Sequence, residues 1–166
     1  MTPKILIIGS TGTLGSKLID FCSSKKIKID SITCFKNINK LQTQKKIHKI
    51  KNLFSLSNSD QIDKFTKHIK INKFNIIYFL DHGPYSLNFL DIILKNNSDS
   101  IIAIANKEML IVGGNLILKK IKISNNKFVP LDSEHFSLQK INFNNNNISK
   151  IYITASGGPF YFKKKY

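Results

Sequence analysis

The sequence predicts an α/β fold, a Rossmann-like doubly wound parallel sheet, on three observations. Short, continuously apolar runs alternate with longer stretches of helical spacing along the chain. Runs of that kind mark parallel strands buried on both faces; half-exposed strands alternate apolar and polar residues instead. The first run ends in a glycine turn that opens a helix, Gly9-Ser10-Thr11-Gly12-Thr13-Leu14-Gly15. The crossovers have the length of βαβ units, which place helices on both faces of a sheet.

The elements follow in order. Lys4–Ile8 is a buried strand, and a helix runs from Leu14 to Ser24. Lys28–Cys34 reads as the second strand and Ile38–Lys46 as a polar, weakly periodic helix. Ile47–Ile50 is expected to form a short third strand. Asp60–Ile69 has helical spacing, with Ser59 as its cap. Asn75–Leu80 is a strand, Ser86–Lys95 a helix and Ser100–Ala105 another buried strand. Lys107–Ile121 reads as helical in spite of Gly113-Gly114, and Lys127–Leu131 and Lys150–Thr154 as further strands. Asn142–Ser149 is a polar, low-complexity connection of surface-loop type.

Composition narrows the functional classes. A chain of 166 residues, 42% of them hydrophobic, suffices for one domain and the start of another. No apolar run approaches the roughly 20 residues of a membrane span. Met1 leads straight into the first strand without a signal-peptide layout, so a cytoplasmic location is expected. Cys22 and Cys34 are neither a disulfide framework nor a metal-spaced pair, and read as reduced thiols. The net charge of +16 is not a nucleic-acid signature, because all 26 basic residues are Lys. Nucleic-acid sites draw on Arg for bidentate contacts, and these lysines are scattered without aromatic interleaving. Their joint abundance with Asn and Ile is the mark of AT-rich codons.

The glycine turn carries the first chemistry. Its spacing, G-x-x-G-x-x-G, allows a tight bend, close backbone approach to a pyrophosphate and close helix packing. The helix N-terminus then offers free N–H groups to phosphate oxygens. Gly9, Thr11, Gly12, Thr13 and Leu14 are therefore candidate dinucleotide contacts. NAD sites place an acid at the end of the second strand to hold the ribose hydroxyls. Here that segment is Thr33-Cys34-Phe35-Lys36-Asn37, without an acid. Lys36 offers its charge to a 2′-phosphate, which favours NADP, or else is one more surface lysine.

Three later segments stand at strand ends, where ligands of open α/β sheets lie. Ala105-Asn106-Lys107-Glu108 reads equally as cofactor and substrate contacts or as a helix start capped by Asn106. Asp132-Ser133-Glu134 places two carboxylates and a hydroxyl together, as a hard cation such as Mg²⁺ or Mn²⁺ requires. Taken alone, the same residues are better explained as a helix start, with Asp132 or Ser133 as cap and Glu134 in the first turn. Thr154–Phe160 is a Ser-Gly-Gly turn, either a nest of N–H groups for an anion or a simple loop.

Taken together, these motifs resemble 1-deoxy-D-xylulose 5-phosphate reductoisomerase, on Gly9–Gly15, Lys36-Asn37, Ala105–Glu108, Pro130–His135 and Thr154–Phe160. The resemblance spans the whole chain; the last two motifs are specific to the family and the glycine turn is not. It implies an NADPH-dependent, homodimeric enzyme of isoprenoid synthesis that uses one Mg²⁺ or Mn²⁺. The family converts the ketose phosphate to 2-C-methylerythritol 4-phosphate. By resemblance, Asp132 and Glu134 are metal ligands, with Glu134 and Lys107 in the catalytic centre. Ser133, Glu134, Lys107 and Ser156 contact the phosphorylated sugar substrate. Gly9, Thr11, Gly12, Thr13, Leu14, Lys36, Asn37, Asn106 and Glu108 hold NADPH.

The resemblance also implies a division: residues 1–131 as the NADPH-binding Rossmann-like domain, and 132–166 as the truncated beginning of an α/β catalytic, metal-binding domain. The family is substantially longer and carries a further Glu ligand downstream. The chain is therefore expected to bind NADPH weakly and not to turn over by itself. Three positions depart from the family: Phe35 replaces a small residue, Asp81-His82-Gly83 an apolar glycine-rich stretch, and Met109 a serine. One alternative is a non-catalytic NADPH-binding module. Another is a different G-x-x-G-x-x-G reductase, although Tyr161 and Lys165 match the short-chain dehydrogenase pair only within a Lys-rich tail. Neither Cys22 nor Cys34 has the setting of a semialdehyde-dehydrogenase nucleophile.

Overall fold

The structure, a computed structural model, describes residues 3–139, 141 and 148–152. The chain divides into two compact units, Met1–Asp132 and Ser133–Tyr166. The first unit alternates strictly: β1 (Ile5–Ile8), α1 (Thr13–Ser24), β2 (Ser31–Cys34), α2 (Ile38–His48), β3 (Asn52–Ser55), α3 (Ser59–Ile71), β4 (Ile76–Phe79), a 3₁₀ turn (Pro84–Ser86), α4 (Leu87–Asn96), β5 (Ile101–Ile104), α5 (Lys107–Ile123) and β6 (Lys127–Pro130). Its six strands are all parallel, in the order β3-β2-β1-β4-β5-β6. That order reverses direction beside β1, which makes the carboxyl end of β1 the switch point of the fold.

The apolar strands serve two cores at once, because successive side chains point to opposite faces. Ile5 and Ile7 pack with Ile32, Cys34, Ile19, Cys22 and Leu41, on the face of α1 and α2. Leu6 and Ile8 pack with Ile77, Phe79, Ile102 and Ile104. On that side Phe65, Phe89, Ile93 and Ile117 come down from α3, α4 and α5. A polar residue in either set would lose its water, which is why β1 reads as an unbroken apolar run.

Several elements differ from the sequence expectation. Ile47–Ile50 is not a strand: α2 continues through His48 and ends on Lys49 in the left-handed region (φ 51°). The third strand lies just beyond, where Asn52–Ser55 registers with Ser31–Cys34. Ile47 is exposed while Ile50 is buried, so the apolar pair that suggested a strand is a helix end and a turn. The ladder of β2 begins at Ser31 rather than Lys28. Asn58, not Ser59, caps α3; its Oδ1 accepts from Gln61 N at 3.1 Å. Helix α5 runs to Ile123 and is interrupted at Gly114 (φ 47°, ψ −140°), a conformation glycine adopts without a Cβ penalty.

The second unit contributes α6 (Ser133–Gln139). The described part of the expected strand Lys150–Thr154, residues 150–152, carries no strand. Ile153 and Thr154 lie outside the described residues, as do residues 142–147 of the expected loop and the turn bearing Ser156. Among the described residues no helix is long and apolar enough to cross a membrane.

Candidate dinucleotide site

The glycine turn is built from backbone contacts too close for any side chain. Gly9 has φ +89°, and a Cβ there would meet Asp81 N at 2.4 Å. A Cβ on Gly15 would meet the carbonyl oxygens of Gly9 and Ser10 at 2.5 Å. Helix α1 therefore lies directly on the turn it leaves. Gly12 is different: a Cβ there would meet Gly9 O at 3.7 Å and Leu80 O at 4.0 Å, ordinary van der Waals contacts without a clash. Gly12 is the N-cap of α1 and supplies no side-chain hydrogen bond. The first turn of α1 contains no acid, and its leading N–H groups have no partner within the helix itself. This is a cradle shaped for an anion that approaches the backbone closely.

The turn is locked from β2 and α2. Ser10 N donates to Thr33 O at 2.9 Å and Gly9 N to Thr33 Oγ1 at 3.2 Å. Gln44, buried on α2, donates from Nε2 to Ser10 O at 2.9 Å and accepts from Ser10 Oγ at 2.9 Å. Lys40, one turn earlier, donates from Nζ to Thr11 O at 2.9 Å. Sequence reading missed both. Gln44 shares a helix face with Leu41 but carries no motif, and Lys40 is one of 26 lysines.

Phe35, Lys36 and Asn37 are exposed at the carboxyl end of β2. Asn37 has a structural duty, since its Oδ1 caps α2 by accepting from Lys40 N at 3.1 Å. Lys36 is next to this cap and lies off the same strand end.

At the end of β4, Asp81 lies against Gly9, and its carboxylate accepts from Asn106 Nδ2 at 3.1 Å. Burial pushes the Asp81 carboxyl above the usual carboxylate range, opposed in part by hydrogen bonds from Asn106 and Ser86. Asn106 is almost fully buried at the end of β5. Its amide also donates to Gly83 O at 2.8 Å, while its Oδ1 accepts from Met109 N at 2.9 Å and caps α5. Asn106 is thus the helix cap, and it also ties the ends of β4 and β5 together. Lys107 and Glu108 stand exposed on the first turn of α5. Met109, in the place of a serine, is buried and accepts a weak hydrogen bond from Ser86 Oγ at 3.6 Å.

Asp132 is buried just past the end of β6. In the second unit Ser133 Oγ donates to Glu134 Oε2 at 2.8 Å, with Glu134 in the first turn of α6. Among the described residues no cluster of three or more His, Cys, Asp or Glu side chains is arranged to hold a metal ion.

The switch-point order and the glycine turn between β1 and α1 define an α/β protein of the doubly wound class. The comparisons are more specific. The family profile described as 1-deoxy-D-xylulose 5-phosphate reductoisomerase C-terminal domain matches residues 128–166. The 1-deoxy-D-xylulose 5-phosphate reductoisomerase of Pelagibacter ubique (strain HTCC1062) is 40% identical over 178 residues, 95% of this chain and 46% of that protein. The solved structure of the Zymomonas mobilis reductoisomerase in complex with NADPH superposes with a TM-score of 0.78 at 21% identity. That superposition covers 99% of this chain and 48% of the other. A crystal structure of DOX-P reductoisomerase in complex with magnesium gives 0.67 at 18% identity, covering 81% of this chain and 38% of that one. This chain is similar to the 1-deoxy-D-xylulose 5-phosphate reductoisomerases, and it spans about half the length of the curated relatives it matches.

Proposed function

We propose that this chain carries the cofactor-binding part of an NADPH-dependent reductoisomerase. The reaction is conversion of 1-deoxy-D-xylulose 5-phosphate to 2-C-methyl-D-erythritol 4-phosphate, an isoprenoid precursor, in a cytoplasmic homodimer. The observation that carries the reading is the glycine turn, where Gly9 and Gly15 lie too close to backbone for any side chain and Gly12 caps α1 without a side chain of its own. The 40% identity to the Pelagibacter reductoisomerase supports the reaction class.

In this reading residues 1–131 bind NADPH and 132–166 begin the catalytic domain. The pyrophosphate sits on the N–H groups of Thr13 and Leu14, with Gly9 and Thr11 shaping the turn and Gly12 leaving it room. Lys36 and Asn37 hold the 2′-phosphate end, and the absence of an acid there removes the repulsion an NAD-type site would impose. Asn106 fixes the floor under the nicotinamide half, with Glu108 beside it. NADPH supplies the hydride. Lys107 meets the substrate, Ser133 its hydroxyl oxygens and Ser156 its phosphate.

Asp132 and Glu134 give hard oxygen donors suited to Mg²⁺ or Mn²⁺. Two carboxylates are fewer than a stable all-protein site uses, so water and substrate oxygens would complete the ion's shell.

The test is calorimetric titration of the purified chain with NADPH and NADH, followed by Mn²⁺ on the NADPH-saturated protein. Saturable NADPH binding at least tenfold tighter than NADH is expected, with Mn²⁺ binding lost in Asp132→Asn. Absence of NADPH binding at millimolar concentration would overturn the reading.

A further inference from the structure

The carboxyl ends of β2 and β4 flank that of β1, and each end carries an aromatic ring. Phe35 directly follows Cys34, the last residue of β2, and Tyr85 lies in the 3₁₀ turn after β4. Their ring centroids are 5.6 Å apart, with the planes at 63°. Strands two places apart in a sheet are separated by about 9.5 Å. The rings therefore reach toward each other across the end of β1, beside the glycine turn.

The two rings are held differently. Tyr85 packs on the core of the α3–α5 face and meets the buried Phe89 edge-on, at 5.8 Å and 71°. Phe89 meets the buried Phe65 in the same way, at 5.0 Å and 79°. Phe35 is the outermost ring of this run and belongs to neither core; 48% of its surface is exposed. A half-exposed phenyl ring in edge-type contact with a tyrosine packed on the core offers an apolar platform. It stands one residue before Lys36, the group assigned to the 2′-phosphate. A base attached to a ribose held there lies within reach of that platform.

We infer that Phe35, positioned by Tyr85, is the stacking platform for the purine base of the dinucleotide, an assignment that rests on the NADPH reading above. Stacking offers the π-face of the base a partner without reading its hydrogen-bonding edge, so this subsite is tolerant of base identity. The contact with Tyr85 reduces the ordering that Phe35 undergoes on binding, which favours affinity.

The experiment is calorimetric titration with NADPH, with 2′,5′-ADP and with the hypoxanthine analogue of NADPH, on the wild type and on Phe35→Leu, Phe35→Ala and Phe35→Tyr. Phe35→Leu keeps an apolar side chain and loses the π-face, and its unfolding midpoint is expected to match the wild type. It should bind NADPH and 2′,5′-ADP about 5- to 100-fold more weakly, as Phe35→Ala does, the range of an aromatic–base stack. Phe35→Tyr should stay within about threefold of the wild type, since it keeps the ring. The hypoxanthine analogue should bind the wild type as tightly as NADPH does. Retention or tightening of 2′,5′-ADP binding in both Phe35→Leu and Phe35→Ala would overturn the platform, as would rejection of the hypoxanthine analogue by the wild type. Failure of the wild type to bind NADPH or 2′,5′-ADP at all would instead overturn the cofactor reading, and the platform with it.

Discussion

Ser10 and Gln44 exchange two hydrogen bonds in the buried angle between the glycine turn and α2. Gln44 Nε2 donates to Ser10 O and Ser10 Oγ donates to Gln44 Oε1, both at 2.9 Å. The hydroxyl has one proton and shares it with Thr33 O at 3.1 Å. The Ser10 carbonyl has less choice, because a fully buried oxygen deprived of its donor stays unsatisfied. Gln44→Leu should therefore destabilise the fold by about 2 kcal/mol, the cost of an orphaned buried acceptor. Urea unfolding checks this; an unchanged midpoint would show that water replaces the amide.

The glycines of the turn should separate into two kinds. Gly15→Ala drives a Cβ into the backbone of Gly9 and Ser10, where nothing can yield as a flexible side chain would. A loss of about 3 kcal/mol or more is expected in unfolding measurements, at the upper end of overpacking costs. Gly12→Ala makes only ordinary van der Waals contacts, with Gly9 O at 3.7 Å and Leu80 O at 4.0 Å, in an extended conformation (φ −71°, ψ 175°). Its stability should stay within about 0.5 kcal/mol of the wild type. NADPH binding should nonetheless fall about tenfold, because the methyl group occupies the approach of the pyrophosphate. Equal stabilities for the two variants would contradict the packing at Gly15.

Asp81 gives the fold a defined pH response. Burial raises its pKa above the ordinary 3.8, so the folded state holds its proton more tightly than the unfolded chain does. Stability is then greatest while Asp81 is protonated and falls as pH rises through the elevated pKa. Asp81→Asn keeps an oxygen for the Asn106 amide and removes the charge. The variant should be more stable than the wild type at pH 7, with the difference vanishing below about pH 4. Parallel thermal unfolding curves across that range, with no convergence, would refute the assignment.

His68 responds in the opposite range. Burial lowers its pKa, against the opposing pull of Asp30. Asn72 Nδ2 lies 3.1 Å from Nδ1 and Ser31 Oγ 2.8 Å from Nε2. The amide can only donate, so Nδ1 accepts and Nε2 carries the proton toward Ser31. Ser31 Oγ donates in turn to Asp30 Oδ1 at 2.6 Å. This Ser-His-Asp group thus runs the wrong way for nucleophilic catalysis: histidine donates to serine instead of taking its proton. A histidine with a depressed pKa stabilises the fold above about pH 6.5 and loses that contribution as pH falls through its folded pKa. His68→Gln should flatten the decline in unfolding free energy between pH 7 and pH 5. An unaltered slope would place the acid sensitivity elsewhere.

Much of the fold was legible in the chain because parallel strands buried on both faces must be apolar throughout. Ile5–Ile8 and Ile101–Ile104 announce themselves for that reason. The glycine turn was equally legible, since Gly9 and Gly15 occupy positions that no other residue fits. β3 was misplaced because Ile47 and Ile50 look like a strand only if α2 stops early. Where α2 ends depends on Lys49 accepting a left-handed conformation, which no periodicity reveals.

The sequence by itself therefore determined the parallel α/β class, the glycine turn and the order of the motifs, all local patterns imposed by burial and backbone sterics. Only the tertiary structure decided which side chains meet. It brought Gln44 to Ser10, Lys40 to Thr11, Asn106 to Asp81 and Phe35 to Tyr85, across separations of 34, 29, 25 and 50 residues. Such pairings carry no short-range signal, because their free energy comes from strand ends that the sheet places side by side.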